Sequence, residues 1–366
     1  MYIRIYKNVL KKETLVWLGS GTLSARALEG CPDVDGLELL DWLSARRAVT
    51  PQQASRLRDL WRQGWPARQL EDCTESGVTV VTCRDSQYPE RLWDCAEPPM
   101  VLYCRGPVVQ SGVAVVGTRR CSAYGAHVAQ WVGRGLSEAG VTVVSGGAAG
   151  VDGASHSGAL DGGTPTAAVL GTGVDVVWPR GHEELFSRII GSGGSLISEY
   201  PLGAAGKPWH FPRRNRIVAA LATSVVVVES PIRGGAMITA RLAMEMGRDL
   251  WAVPGRIDED TCAGSNRLLY DGATPLVDRQ SFLQSVTGLG QLNLFDADGE
   301  SGLSDVQRSV LEAVRSSGDK SADQISIDSG VPPYQVPGVL SALQVKGLIY
   351  PSGVGRWRAA MQGGKR

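Results

Sequence analysis

Eight short apolar segments follow one another between residues 78 and 253, and most are continuous rather than alternating. They are Val78–Val81, Val101–Tyr103, Val113–Val116, Val141–Val144, Thr166–Leu170, Ser195–Ser198, Ser224–Val228 and Asp249–Val253. A strand with one face in water alternates apolar and polar residues; a strand covered on both faces does not. Stretches of helical texture separate most of these runs. Buried strands alternating with helices predict an α/β fold, an extended Rossmann-like, doubly wound and mostly parallel sheet.

The rest of the 366-residue chain has a different texture. Residues 1–75 predict a small helical domain. Leu37–Leu43 and Pro51–Trp61 carry helical periodicity, and Thr50-Pro51 fits an N-cap followed by proline at the first helical position. Residues 76–283 hold the sheet. Residues 284–302, rich in Gly, Asp and Ser, predict a linker. Residues 303–366 predict a module of three helices (Ser304–Val314, Ser321–Ser329, Pro332–Lys346) and a Gly-containing hairpin to Trp357, the winged-helix order.

Formal net charge is zero, so no global basic field draws in nucleic acid, and anion binding must come from local geometry. The seven cysteines are scattered with no Cys-x-x-Cys pair, and the four histidines show no metal-ligand spacing. A reducing, cytoplasmic setting is expected, with no metal or cofactor. No run of about 20 apolar residues exists to span a membrane.

In such a sheet ligands bind beyond the carboxyl ends of the strands, where helix N-termini offer unpaired N–H groups. Several of these points carry unusual residues. Gly117-Thr118-Arg119 combines a tight turn, a hydroxyl and a guanidinium that forks onto phosphate. Ser145-Gly146-Gly147 opens a glycine-rich anion nest that runs to Asp152. Gly171 begins a third loop, and Gly234-Gly235 opens a helix further on. Glu199 at a strand end is expected to pair with an arginine, and His156 to be a packed or solvent-facing histidine rather than a base.

The sharpest cluster is Lys207-Pro208-Trp209-His210-Phe211-Pro212-Arg213-Arg214-Asn215-Arg216. It has four cations and no acid. Cations interleaved with rings are what single-stranded nucleic acid requires: charges follow the backbone and rings stack on bases. The absent motifs agree. There is no G-x-x-x-x-G-K-[ST] loop, no G-x-G-x-x-G fingerprint and no G-x-S-x-G elbow. No acid/base pair stands out, so no catalytic residue is assigned.

The order of these loops resembles the DprA (Smf) family of DNA-processing proteins, from about Tyr88-Pro89 to Val277. The landmarks are Gly117-Thr118-Arg119, Ser122-x-Tyr124-Gly125, Ser145-Gly146-Gly147-Ala148-Ala149-Gly150-Val151-Asp152, Leu170-Gly171-Thr172-Gly173, Ser198-Glu199-Tyr200-Pro201, Phe211–Val218, Ala252-Val253-Pro254-Gly255 and Asp271-Gly272-Ala273. The resemblance implies binding of single-stranded DNA, protection of incoming strands in natural transformation, loading of RecA, and a homodimer formed through the Rossmann-like domain. It also implies a SAM-like N-terminal domain and a winged-helix C-terminus. It places DNA contacts on Arg119 and within Lys207–Arg216. Two departures are visible: Thr118 stands where the family usually has Ser, and Gly234-Gly235-Ala236-Met237 replaces a usual Ser-Gly-Ser-Leu.

Two other readings are open. A phosphoribohydrolase-type enzyme would use Gly234–Thr239 as a partial echo of a Pro-Gly-Gly-x-Gly-Thr loop, with Glu245 as its glutamate. A transcription factor would rely on the C-terminal module. That module's third helix has only Lys346 as a cation, with Arg356 and Arg358 on the hairpin. Fold support or a protein contact is therefore expected there more than DNA reading.

Overall fold

The structure, a computed structural model, describes residues 10–287, 303–316, 320–345, 348–353 and 356–359. The chain forms two compact units that divide between Leu283 and Gln284.

The first unit opens with four helices, α1 (Lys12–Ser20), α2 (Gly36–Ala45), α3 (Pro51–Arg62) and α4 (Trp65–Glu75). Thr50 accepts from the Gln53 N–H while the Gln53 side chain returns to the Thr50 N–H, a reciprocal cap that starts α3. Helices this short cannot bury their apolar faces alone. Trp17 is fully buried, donates to the Leu57 carbonyl at 2.6 Å and meets the Trp61 ring at 4.6 Å. The texture changes near residue 76, but the packing crosses that boundary: α1 and the first strands belong to one continuous apolar core.

Among the described residues the sheet has nine strands: β1 (Val78–Thr82), β2 (Val101–Arg105), β3 (Gly112–Val116), β4 (Val143–Ser145), β5 (Ala167–Leu170), β6 (Ser195–Ser198), β7 (Ala222–Val227), β8 (Asp249–Ala252) and β9 (Thr274–Pro275). All eight expected strands are present, with ends shifted by a residue or two. The two-residue edge strand β9 has no apolar run to announce it. The order is β1-β2-β6-β5-β4-β3-β7-β8-β9, antiparallel at β1/β2 and β2/β6 and parallel elsewhere. Helices α5 (Ala123–Glu138), α6 (Val151–Gly162), α7 (Glu183–Gly191), α8 (His210–Leu221), α9 (Gly235–Glu245), α10 (Ala263–Tyr270) and α11 (Arg279–Thr287) complete the unit. From β3 the chain builds outward through β4, β5 and β6, then returns to the other side of β3 with β7. The switch point of this doubly wound sheet therefore lies between β3 and β7, where the loops that follow the two strands part.

Residues 284–287, expected in the linker, are the last turn of α11. That helix is anchored by Phe282, which is buried and meets Trp251 edge-on at 5.2 Å. The remainder of the expected linker, 288–302, lies outside the described residues.

The second unit has its own core of Val310, Leu311, Ile325, Leu340, Leu343 and Ile349. It contains α12 (Asp305–Arg315), α13 (Ala322–Ser329) and α14 (Val336–Val345). Strands β10 (Lys320–Ser321), β11 (Ile349–Gly353) and β12 (Arg356–Ala359) form an antiparallel sheet ordered β10-β12-β11. The third helix starts four residues later than expected. Pro332-Pro333 disfavours a helical residue before each ring, and Gln335 closes a turn onto the Pro332 carbonyl instead. Lys346 lies outside the described residues.

Candidate nucleic-acid interface

The switch point opens into a groove of about 680 Å³. The β3–α5 loop supplies Gly117, Thr118, Arg119 and Arg120 to one wall; the β7–α9 loop supplies Pro231, Gly234 and Gly235; Phe211, Arg214 and Asn215 come from α8. Arg119 is exposed and makes no ion pair among the described residues; its guanidinium lies 5.0 Å from the centre of the Phe211 ring. A cation over an aromatic face at this distance is attracted by the ring quadrupole, and the pair presents charge and stacking surface together. Trp178, 49% exposed, adds a third group 6.5 Å from Phe211. Sequence reasoning misses it, because it follows the glycine loop by several residues and carries no motif.

Not every helix start at the sheet's carboxyl edge is open. The Glu229 carboxylate, itself buried, accepts from the Ser122 N–H at 2.9 Å and from the Ser122 hydroxyl at 2.5 Å. It fills the N-terminus of α5 from inside the protein. Gly125 is the consequence: a Cβ there would collide with that carboxylate. The Glu229 carbonyl also fixes the Thr118 N–H at 2.7 Å. The start of α6 is likewise occupied, because the Thr118 carbonyl takes the Val151 N–H and Asp152 takes that of Ala148. The start of α9 differs. Its N-cap Gly234 makes no side-chain cap, and a Cβ added to Gly235 would meet nothing within 4 Å. Gly234, Gly235 and Ala236 bring the start of α9 to the groove, where its dipole favours an anion.

Several glycines expected to cradle phosphate are also required by packing. A Cβ on Gly117 would come within 2.5 Å of Val151. One on Gly171 would come within 2.9 Å of Phe211, so Gly171 is the seat on which that ring rests; its carbonyl lies 2.9 Å from His210 Nδ1. Ser145 is fully buried and its hydroxyl donates to the Val115 carbonyl across the sheet at 2.6 Å, so it is not open to a ligand. Gly147, at φ +63°, is buried beside Phe186 and Leu170. Gly146 lines the groove; a Cβ there would sit 2.5 Å from an Asp152 oxygen and 2.6 Å from an Arg214 nitrogen.

The basic cluster divides by helix periodicity. Because α8 already begins at His210, positions three apart share a face. Phe211, Arg214 and Asn215 face the groove. Arg214 is buried and donates to the carbonyls of Gly146 and Val169, while Asn215 holds the Gly235 carbonyl at 3.1 Å. Burial lowers the Arg214 pKa, and Asp152 opposes that shift; burial raises Asp152, and Arg214 opposes it. Each charge offsets part of the other's burial cost. Arg213 and Arg216 point the other way. Arg216 grips the buried Glu199 with two bonds of 2.7 Å, and Arg213 reaches Glu199 at 3.4 Å, Glu97 at 3.0 Å and the Thr22 carbonyl at 2.8 Å. Burial pushes the Glu199 carboxyl up, but the two arginines outweigh it and hold it below the usual range. The expected pairing of Glu199 is present, and it takes Arg213 and Arg216 away from the groove. Lys207 is exposed beside Trp209, with its ammonium 5.9 Å from that ring.

Glu245 is exposed at the far end of α9, 3.9 Å from Arg241. Ten residues of helix put it about 15 Å along the axis from Gly235, so the echo at Gly234–Thr239 brings no glutamate to the groove. His156 is fully buried, as a packed histidine, with Nδ1 2.9 Å from the Thr166 hydroxyl. Among the described residues no group of three or more His, Cys, Asp or Glu is placed to hold a metal ion, and no helix is long and apolar enough to cross a membrane.

Fold and groove define a class: a Rossmann-like doubly wound protein whose switch-point cleft joins a helix N-terminus to exposed arginines and rings. Residues 79–287 match the family described as DNA recombination-mediator protein A. A chain of Mycobacterium tuberculosis named as a DNA processing protein, DprA, is 38% identical over 336 residues, covering 90% of this chain and 85% of that one. Among solved structures, DNA processing protein A from Streptococcus pneumoniae superposes with a TM-score of 0.67 at 30% identity, covering 76% of this chain and 99% of that one. DNA processing protein A from Helicobacter pylori, described in terms of its single-stranded DNA binding mode, superposes at 0.52 and 28% identity over 58% of this chain and 96% of that one. The chain belongs to the DNA recombination-mediator protein A family, the DprA/Smf proteins.

Proposed function

We propose that this protein binds single-stranded DNA along the switch-point groove with little sequence preference, protects incoming strands in natural transformation, and helps deliver them to RecA. The observation that carries the reading is Arg119. It is an exposed guanidinium without an acidic partner among the described residues, set over the Phe211 ring and across the groove from the open start of α9. Family membership and the binding mode named for the Helicobacter pylori relative support it. The role is that of a cytoplasmic binding protein rather than an enzyme, acting as a homodimer through the Rossmann-like unit. The C-terminal unit is read as a winged helix that serves a protein contact or the fold.

Fluorescence anisotropy with labelled single- and double-stranded oligonucleotides at two salt concentrations tests the reading. Arg119→Ala is expected to weaken single-strand binding at least tenfold and to leave the circular dichroism spectrum unchanged. Removing one phosphate interaction should also lower the salt slope by about 0.7. Unchanged affinity would remove Arg119 from the site and the groove from the function.

A further inference from the structure

The segment Gly206–Phe211 is a ridge between two cavities. Gly206, Pro208 and Phe211 line the switch-point groove; Lys207, Trp209 and His210 line a second cavity of about 570 Å³. The far wall of that second cavity comes from the N-terminal helices, with Gln53, Arg56 and Leu60 of α3 and Trp65 of α4. Among the described residues no acid lines it. Arg56 is exposed and makes no ion pair among the described residues. Trp209, 49% exposed, is held upright by edge contacts to Tyr200 at 6.3 Å and His210 at 4.1 Å, and those two rings stack on each other at 3.8 Å. Folding alone requires neither a half-exposed tryptophan braced by two rings nor two exposed cations lining one cavity.

We infer that this second cavity is a further binding site for the same polynucleotide: the strand crosses the ridge from Phe211 to Trp209 and is received between Lys207 and Arg56. Trp209 stacks a base, and the two cations take the flanking phosphates. The N-terminal helical region thus becomes a wall of the DNA path and sets the length of strand bound. This rests on the single-strand reading of the first groove.

The test uses the full chain and oligothymidylates of about 5 and about 15 nucleotides, within the range of single-strand site sizes. Arg56→Ala and Trp209→Ala are each expected to weaken the longer oligonucleotide about tenfold and the shorter less than twofold. Arg56→Ala should also lower the salt slope for the longer one alone. Arg56 is a surface residue, so its variant keeps the fold, with the melting temperature as the check. If neither variant weakens the longer oligonucleotide while Arg119→Ala weakens both, the strand ends at the first groove and the inference fails with the function intact. If Arg56→Ala weakens both lengths equally, Arg56 acts as general field and the second site is again lost. If Arg119→Ala changes neither length, the function itself is overturned.

Discussion

Arg119 and Arg216 are the same residue type in the same basic texture, and their partners divide their roles. Arg216 is buried against Glu199, whereas Arg119 lies over the face of Phe211 and makes no ion pair among the described residues. The same division holds among the glycines: Gly117 and Gly125 are small because a neighbour occupies the space of a side chain, while Gly235 has empty groove above it. Gly235→Asp therefore separates binding from folding. A carboxylate in the first turn of α9 complements the helix dipole, so the melting temperature should hold or rise, while its charge repels phosphate. Single-strand affinity is expected to fall at least tenfold in the same preparation; unchanged affinity would show that the α9 start is not a phosphate site.

At the scale of the element, α8 carries two jobs on two faces. Phe211 and Asn215 shape the groove, while Arg213 and Arg216 tie the helix to Glu199, Glu97 and Thr22. Reading Lys207–Arg216 as one patch is correct about composition and blind to phase, because the register depends on where the helix begins. Proline at 208 and 212 suggests a late start; Pro212 instead falls in the first turn, where its missing N–H costs nothing. Removing one partner of a buried ion pair leaves an uncompensated charge and costs about 3–5 kcal/mol. Arg216→Ala should lose stability on that order in urea melts, partly relieved by Arg213, and Arg216→Met should lose similarly because Glu199 remains. A loss well under about 1 kcal/mol would mean that the pair is not holding the helix.

Across the whole molecule, acid should loosen the fold before it affects the groove. Burial holds His156 down to about 3 from an ordinary 6.5, so the folded state leaves it neutral while the unfolded chain takes up a proton. Between about pH 6.5 and about pH 3 the unfolded state binds more protons, and stability falls as pH falls. Glu199, held below the usual carboxylate range, adds a loss of the same sign at the acid end. Denaturant midpoints should therefore drop from about pH 7.5 to about pH 5, and His156→Gln should flatten that slope; an equal slope in the variant would assign it elsewhere. The proposed homodimer has a structural candidate too. Edge strand β9 is flanked by two exposed apolar residues, Tyr270 at 83% and Val277 at 75%. Val277→Asp is expected to shift the mass measured by light scattering from dimer to monomer.

The parallel α/β sheet was legible in the residues alone, because strands buried on both faces leave continuous apolar runs separated by helical segments. The sequence also determined which loops lie at the sheet's carboxyl edge, and so where a ligand would be found. Which residues in those loops are available follows from long-range contacts. Glu229 is 107 residues from Ser122 and Glu199 is 17 from Arg216. No local pattern announces that the Glu229 carboxylate fills one helix start, or that the pairing expected of Glu199 takes two arginines of the basic cluster. Those outcomes depend on which chain segments the fold brings together, and on the electrostatic cost of leaving any of the buried charges alone.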